Sequence, residues 1–512
     1  MSSFPASWCT GRQGEFSALL LGALCVFSFA PFHIFPLSLL SLALLFPLWR
    51  TAATPRRAAW LGFLWGLGCF LGGVSWVYVS MHDVGGMPAA LAAMATLLFC
   101  ATLALFPALA GGLFGRWRCG SIQRDAWLAA AAWMLGEWLR GWVLSGFPWL
   151  SVGYSQSPPS PLSSYAAVLG VYGVGFIVAG IAAVAAFSWR APAPATRRGI
   201  ILIAAIFSVG YLLQQMSWTQ PSGPPLTVSL VQGNIEQSTK WNRERLEDSL
   251  RTYARLVRQH PAQLIVLPET ALPMFLEDVP KEYLQALTRD APILTGVAVS
   301  VEHKGKPGPD GYANAAVALS GSAHTQTYTK SHLVPFGEYV PAGFSWFLGL
   351  MHVPMSDFTP GPAYQPPLEL VGQRIAPNIC YEDLFGEEII RALPQATLLI
   401  NLSNPAWFGD SLAQPQHLQI AQMRALETGR SMLRATNTGM TAAIGRDGRI
   451  IAALPAFTSA GLTVEVQGYT GMTPYARRGN LLALLIAVGA LLPAWHRRRQ
   501  QDALSELPAP LA

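Results

Sequence analysis

The chain has 512 residues, of which 52% are hydrophobic and only 12% are charged. A soluble globular protein carries about 25% charged residues, so this composition excludes an ordinary soluble enzyme and indicates that much of the surface faces lipid. The net charge of +6 does not indicate nucleic-acid binding, because most basic residues stand in short clusters between apolar runs.

Eight apolar segments are predicted to be membrane helices. Helices are expected because a segment exposed to lipid must satisfy its own backbone hydrogen bonds, although several runs are shorter than the roughly 20 residues that cross a bilayer. We predict a seven-helix membrane domain over residues 1–215, and an eighth helix with a cytoplasmic tail over residues 479–512. The segments are residues 16–30, 35–48, 59–79, 88–113, 127–142, 164–187, 200–213 and 481–494.

Arginine clusters indicate the orientation of these segments. They follow the second, fourth, sixth and eighth segments, whereas the loops after the first, third and fifth segments contain no Lys or Arg. Basic loops remain in the cytoplasm, so residues 216–478 are predicted to form an outer domain. Within the membrane half, Glu137 and Arg140 lie one helical turn apart and are either a functional pair or a structural ion pair.

The periodicity of the sequence changes in the outer domain. Short runs rich in β-branched and aliphatic residues alternate there with amphipathic stretches, which predicts an α/β domain with buried sheets. The predicted strands are residues 226–231, 264–267, 293–300, 315–319, 375–379 and 397–402, and the predicted helices are residues 243–258 and 414–427.

Cys380 is the single cysteine of the outer domain, whereas the other five lie in the membrane half or at its cytoplasmic edge. An exported cysteine usually forms a disulfide, so an unpaired one suggests a function. A small buried hydrophobic residue is the alternative interpretation. The spacing of the cysteines leaves both open.

Glu269 and Cys380 follow predicted strands, and Lys330 follows a β-like run that ends at Thr329. Ligand sites of α/β sheets form at the carboxyl ends of strands. A thiol is a poor nucleophile at neutral pH until a base takes its proton. A carboxylate can be that base, and an ammonium group can stabilise the oxyanion that develops during attack on a carbonyl. Each residue alone also fits an ordinary surface or core position, but the combination favours catalysis.

Several short segments around these residues resemble the apolipoprotein N-acyltransferase family of the nitrilase (carbon–nitrogen hydrolase) superfamily. The resemblance covers nearly the whole chain, because the arrangement of apolar segments, with the outer domain before the last one, also matches. The segments are VQGNI at 231–235, LPET at 267–270, HLVPFGE at 332–338 after Lys330, CYE at 380–382 and AWFGD at 406–410.

The resemblance implies an αββα sandwich and a ping-pong reaction that needs no cofactor or metal. Cys380 would take an acyl chain from a phospholipid and pass it to the α-amino group of the diacylglyceryl-cysteine of an apolipoprotein. Glu269 would be the general base, Lys330 would stabilise the oxyanion, and Glu338 would orient the lysine and the thiol. Four further positions match residues that shape the acyl and substrate pocket, although the two tryptophans also fit a packing role: Tyr381, Glu382, Trp241 and Trp407.

The resemblance also implies a monomer in the bacterial inner membrane, with the catalytic domain on the periplasmic side and no nucleic-acid partner. The apolar run 343–351 is interpreted as an arm or lid at the acyl pocket, or as ordinary core. The nearest alternative is a membrane-tethered amidase or nitrilase, in which water resolves the intermediate. A transporter with an accessory domain is less favoured, because few charges lie within the apolar segments.

Overall fold

The computed structural model describes residues 11–189, 191–237, 243–301, 311–320, 325–341, 343 and 357–505. The chain forms two compact units. A helical unit combines the chain up to Ser75 with Met94–Met216 and with the chain from Arg478 onward. An α/β unit combines Trp76–Ala93 with Ser217–Arg477.

A helix lies at each of the eight apolar segments. In the described part of the chain, three helices are long and apolar enough to cross a membrane: Ala89–Trp117, Ser163–Ser188 and Ala193–Gln214. The bent pair Pro55–Gly73 and Val77–Val84 adds a fourth if it forms one span. The number of eight spans therefore stays a prediction. The helices are α1 (Gly11–Cys25), α2 (Pro36–Thr51), α3 (Pro55–Gly73), α4 (Ala89–Trp117), α5 (Ile122–Arg140), α6 (Ala166–Ser188), α7 (Ala193–Gln214) and the C-terminal helix Leu481–Ser505.

Glycines allow α1 and α3 to pack closely. A Cβ atom built at Gly22 of α1 would lie 1.8 Å from the carbonyl oxygen of Trp65. One built at Gly68 of α3 would lie 2.0 Å from the carbonyl oxygen of Leu19. Any larger residue at either position would push the two helices apart, which is the usual role of small residues between apolar helices.

Glu137 and Arg140 hold the loop that follows α5. Glu137 Oε1 accepts a hydrogen bond from the backbone N–H of Val152 at 2.7 Å. Arg140 Nη1 donates to the carbonyl oxygens of Phe147 and Trp149, both at 2.6 Å. Both side chains are buried, and these contacts favour the structural interpretation of the pair.

The α/β unit contains two sheets, of seven and six strands in the described residues. The first has the order β13-β1-β2-β4-β5-β6, with β3 paired to β4, and the second has the order β12-β11-β10-β9-β8-β7. The strands are β1 (Thr219–Gln232), β2 (Leu264–Val266), β3 (Leu272–Phe275), β4 (Ile293–Val301), β5 (Gly311–Leu319), β6 (Gln326–Thr329), β7 (Leu368–Leu370), β8 (Gln373–Ile379), β9 (Leu398–Ser403), β10 (Met432–Thr436), β11 (Ala442–Ile444), β12 (Ile450–Ala453) and β13 (Ala460–Gly471).

Helices cover the outer faces of the sheets. They are α8 (Arg243–Gln259), α9 (Lys281–Leu287) and α10 (Ala413–Thr428), with short helices at Gly386–Ile389 and Pro474–Arg478. Tyr253 and Leu256 of α8 share an apolar cluster with Ile265 of the first sheet. Leu418 of α10 shares another with Leu399 of the second sheet.

A central apolar layer joins the two sheets. It contains Leu230 and Val266 from the first sheet together with Ile400 and Leu433 from the second. The unit therefore has four layers in the order helices, sheet, sheet and helices, which is the αββα sandwich that the resemblance implied. Burial of this layer supplies the apolar contacts that fix the positions of the strand ends.

Candidate active site

The structure brings Glu269 and Lys330 together at the ends of strands β2 and β6. Lys330 Nζ lies 3.7 Å from Glu269 Oε1 and 2.8 Å from Glu338 Oε2. Lys330 is only 1% exposed and Glu269 only 7%. Cys380 follows β8, and the charges of Glu269 and Lys330 both act on its thiol. The residues predicted to be base, oxyanion donor and nucleophile therefore form one cluster.

Two N–H donors hold the Glu269 carboxylate. Oε1 accepts from the Asn314 side-chain amide at 2.7 Å, and Oε2 accepts from the backbone N–H of Asn404 at 2.8 Å. Gly296 on β4 makes room for this position, because a Cβ atom there would lie 2.5 Å from the Glu269 Cα. Both carboxylate oxygens are therefore held in fixed positions, which suits a general base.

Glu338 positions the lysine. Its Oε1 lies 2.8 Å from Lys330 Nζ, and its Oε2 accepts the backbone N–H of Val334 at 2.8 Å. Burial lowers the pKa of Lys330, but the carboxylates of Glu338 and Glu269 outweigh that effect and the net pKa is raised. The buried lysine is therefore a fixed ammonium ion, which can stabilise a developing oxyanion without giving up its proton.

Cys380 is the first residue of the short 3-10 turn Cys380–Leu384, which follows β8 directly. Its φ angle of 52° places it in the left-handed region, which side chains other than glycine rarely occupy and which is often found at functional sites. Burial, reinforced by the charge of Glu269, raises the pKa of the Cys380 thiol to about 12. The resting residue is therefore a neutral thiol that needs a base before it can attack.

Glu382 hydrogen-bonds both to the loop that follows Lys330, called the lysine loop, and to the turn that contains Cys380. Its Oε1 accepts the backbone N–H of Ser331, which follows Lys330, at 2.7 Å. Its Oε2 accepts the backbone N–H of Ile379, which precedes Cys380, at 2.7 Å. The side chain is 2% exposed, so these bonds form away from water. Further donors to the same carboxylate are the Tyr328 hydroxyl and the His332 backbone N–H.

The aromatic residues predicted to shape the pocket differ in what the structure describes. The ring of Tyr381 packs edge-on against His332 and Phe385, with centroids 5.7 and 5.2 Å apart. Trp407 is half-buried in the turn Pro405–Phe408, three residues after Asn404. Trp241 and all but the first residue of the run 343–351 lie outside the described residues.

Sequence reasoning missed the amides that hold the carboxylates. Asn314 donates to Glu269 and also to Glu338 Oε1, the latter at 3.0 Å. Its signal is a buried amide within the otherwise small and apolar strand β5. Asn404 acts through its backbone, so no side-chain pattern could have revealed it.

A buried ionic cluster beneath the cysteine turn was also missed. Asp383 Oδ1 lies 2.6 Å from His417 Nε2, and Asp383 Oδ2 lies 2.7 Å from Arg434 Nη1. Burial and the charge of Arg434 lower the pKa of His417, so the imidazole is neutral near pH 7. Its ring also hydrogen-bonds to the backbone of Cys380. The signal for this cluster is an arginine within the apolar strand β10.

In the described residues, no group of three or more His, Cys, Asp and Glu side chains could hold a metal ion. The cation that pairs with Glu269 and Glu338 in this site is Lys330. The arrangement can perform acyl transfer through a thiol, with a carboxylate as base and an ammonium ion as electrostatic stabiliser.

Comparison with known proteins identifies the family. Residues 21–184 match the family model described as the apolipoprotein N-acyltransferase N-terminal domain, and residues 227–475 match carbon–nitrogen hydrolase. A Nitrosomonas europaea protein named apolipoprotein N-acyltransferase is 48% identical over 94% of this chain and 98% of its own length. A Chromobacterium violaceum protein of the same name is 48% identical over 94% of each chain.

Among solved structures, an amidase of the nitrilase superfamily from Nesterenkonia aligns with a TM-score of 0.37 at 19% identity, over 51% of this chain and 98% of its own. Identity near one half over almost the full length of both chains decides the classification. The chain belongs to the apolipoprotein N-acyltransferase family and carries its carbon–nitrogen hydrolase domain.

Proposed function

We propose that this chain transfers a fatty acyl group from a phospholipid to the α-amino group of the diacylglyceryl-cysteine at the N-terminus of an apolipoprotein. The observation that carries the proposal is the 48% identity, over 94% of this chain, to proteins named apolipoprotein N-acyltransferase. The cluster of buried Glu269 and Lys330 with half-buried Cys380 supports it, because these groups supply a base, an oxyanion stabiliser and a nucleophile.

In the first half-reaction, Glu269 accepts the thiol proton as Cys380 Sγ attacks the ester carbonyl of the phospholipid. Lys330 stabilises the oxyanion of the tetrahedral intermediate. The intermediate collapses with cleavage of the ester C–O bond, and the departing alkoxide takes the proton from Glu269. The products are a lysophospholipid and a thioester on Cys380.

In the second half-reaction, the α-amine of the acceptor attacks the thioester carbonyl. Glu269 accepts a proton from the amine as the amide bond forms, and Lys330 again stabilises the oxyanion. The C–S bond then breaks, and the proton returns from Glu269 to the Cys380 thiolate. One base thus serves both halves, as expected for a carboxylate with fixed donors on both oxygens.

The supporting residues have separate proposed roles. Glu338 orients Lys330 through its direct ion pair. Glu382 fixes the lysine loop relative to the cysteine turn. Tyr381, Trp241 and Trp407 shape the acyl and acceptor pocket.

We further propose eight membrane spans, with a membrane domain over residues 1–215, a catalytic domain over 216–478 on the periplasmic side of the inner membrane and a last span over 479–512. The alternating arginine clusters support this orientation. Fusions of a reporter that is active only outside the cytoplasm should be active at Pro224 and inactive at Pro194 and Arg499. Activity at Pro194 with silence at Pro224 would reverse the topology.

The test of the proposed function is a transfer assay with purified protein, acyl-labelled phospholipid and a diacylated lipopeptide. The expected product is lipopeptide labelled on its α-amine. Lipopeptide with an acetylated N-terminus is the matched acceptor control and should remain unlabelled. Release of labelled free fatty acid, with no labelled lipopeptide, would replace the transferase with the membrane-tethered hydrolase.

A further inference from the structure

The α/β unit includes a piece of chain that is far from it in sequence. Residues Trp76–Ala93 belong to this unit, although they stand between α3 and the part of α4 that belongs to the helical unit. The piece begins with Trp76, the short helix Val77–Val79 and the π-helical turn Ser80–Val84. We call residues 76–84 the outer hairpin. π-Helical turns are rare and are frequent at functional sites.

The outer hairpin contacts the turn that follows β9. Ser80 Oγ donates a hydrogen bond to the carbonyl oxygen of Trp407 at 2.8 Å. The ring of Trp76 packs edge-on against Phe408, with centroids 4.7 Å apart. A Cβ atom built at Gly409, where φ is +56°, would lie 3.0 Å from Val79 Cγ1, so the backbone approaches closely. The contacts are polar, aromatic and steric, and together they fix the turn.

The same turn begins at the residue that holds the proposed base. The backbone N–H of Asn404 donates to Glu269 Oε2 at 2.8 Å, and the turn Pro405–Phe408 follows directly. Trp76 Nε1 also donates to Gln416 Oε1 on α10 at 3.3 Å. The neighbouring His417 binds Asp383 beneath the cysteine turn. The outer hairpin therefore contacts the turn that follows Asn404 and the residue that precedes His417.

From these contacts we infer that the outer hairpin is a positioning element of the active site, in which Ser80 and Trp76 hold the 404–409 turn so that Asn404 fixes the carboxylate of Glu269. This inference rests on the proposed function for the role of Glu269. Neither residue contacts the reacting atoms in the proposed reaction; they act through the turn. A displacement of a catalytic group by about 1 Å can reduce a rate about 10²-fold, so a support of this kind has a measurable effect.

The test uses the full-length protein and measures thioester formation on Cys380 at several phospholipid concentrations. Ser80→Ala should lower the maximal rate about fivefold, the loss expected from one hydrogen bond, and leave the half-saturating phospholipid concentration unchanged. Ser80→Thr keeps the hydroxyl and should restore the rate. Asp83→Ala, at an exposed position in the same hairpin, is the matched control and should behave as wild type.

A second measurement follows the turn itself by amide hydrogen exchange. Ser80→Ala and Trp76→Leu should accelerate exchange of the Asn404 amide, with no change in strand β2. A wild-type rate and wild-type exchange in Ser80→Ala would overturn the inference, as would a change confined to the half-saturating concentration. If wild-type protein forms no thioester, the proposed function fails, whereas amide exchange still decides whether the hairpin holds the turn.

Discussion

Replacing Glu269 by Gln tests the proposed base while keeping its size. Both oxygens of Glu269 accept N–H donors, from Asn314 and from Asn404. Glutamine offers one oxygen and one NH2 group, so one of these two bonds must be lost or rearranged. An unsatisfied buried donor costs about 1–3 kcal/mol, so the variant should remain folded with a modest loss of stability.

The magnitude of the catalytic loss follows from the environment of the thiol. With its pKa raised to about 12 by burial and the Glu269 charge, Cys380 is almost entirely a neutral thiol at pH 7. Loss of a general base typically reduces a rate by about 10²–10⁴, and we expect acylation of Cys380 to fall by that factor. Removing the Glu269 charge also lowers the pKa of the thiol, so the remaining rate depends on spontaneous thiolate.

Because the variant depends on spontaneous thiolate, the pH dependence of acylation gives the assay a second readout. Acylation of Glu269→Gln by labelled phospholipid should rise about tenfold per pH unit between pH 6 and 8, because the thiolate fraction does so below the pKa. The wild-type rate should rise less steeply, since Glu269 removes the proton. Equal rates in the two proteins across this range would remove Glu269 from the mechanism.

Substitutions at four other residues test the surrounding ionic groups. Lys330→Met should leave the buried Glu269 and the half-buried Glu338 carboxylates without their cation and destabilise the protein by about 3–5 kcal/mol. In a denaturation assay, adding Glu338→Gln should recover part of this loss, and effects that simply add would contradict the ion pairing. Glu382→Gln should slow both half-reactions in single-turnover assays, because it removes one of the two carboxylate oxygens that accept the Ser331 and Ile379 N–H groups. Normal rates would show that these hydrogen bonds are not needed for catalysis. His417 has its pKa lowered below 6.5, so the unfolded chain binds the proton more readily and stability should fall as pH drops below about 6.5. His417→Gln should flatten that decline in the melting temperature, and an unchanged slope would assign it to other groups.

The helices and most central strands could be predicted because their patterns are local. The runs at 264–267 and 375–379 become β2 and β8, since short β-branched stretches have few alternatives in a buried sheet. Strand β1 begins at Thr219, before the predicted start at residue 226. Its first half contains three prolines and pairs with β13 from the end of the domain, a partner that no local pattern reveals.

The proximity of the candidate site residues could be predicted because each of them follows a strand. Glu269, Lys330 and Cys380 stand after β2, β6 and β8, and sheet geometry brings such positions together. The backbone donor Asn404 depends on tertiary folding and left no trace in the sequence. Within the outer hairpin, residues 76–79 were assigned to the third apolar segment and residues 80–84 to the loop after it, because a contact across more than 300 residues has no sequence signature.

The central claim is that Cys380 carries the acyl group between donor and acceptor. Mass spectrometry of intact wild-type protein given phospholipid and no acceptor measures this most directly. We predict a mass increase of one fatty acyl chain that maps to Cys380, is removed by neutral hydroxylamine, is absent in Cys380→Ala and passes to a diacylated lipopeptide when it is added. Acylation that persists in Cys380→Ala would contradict the thioester mechanism.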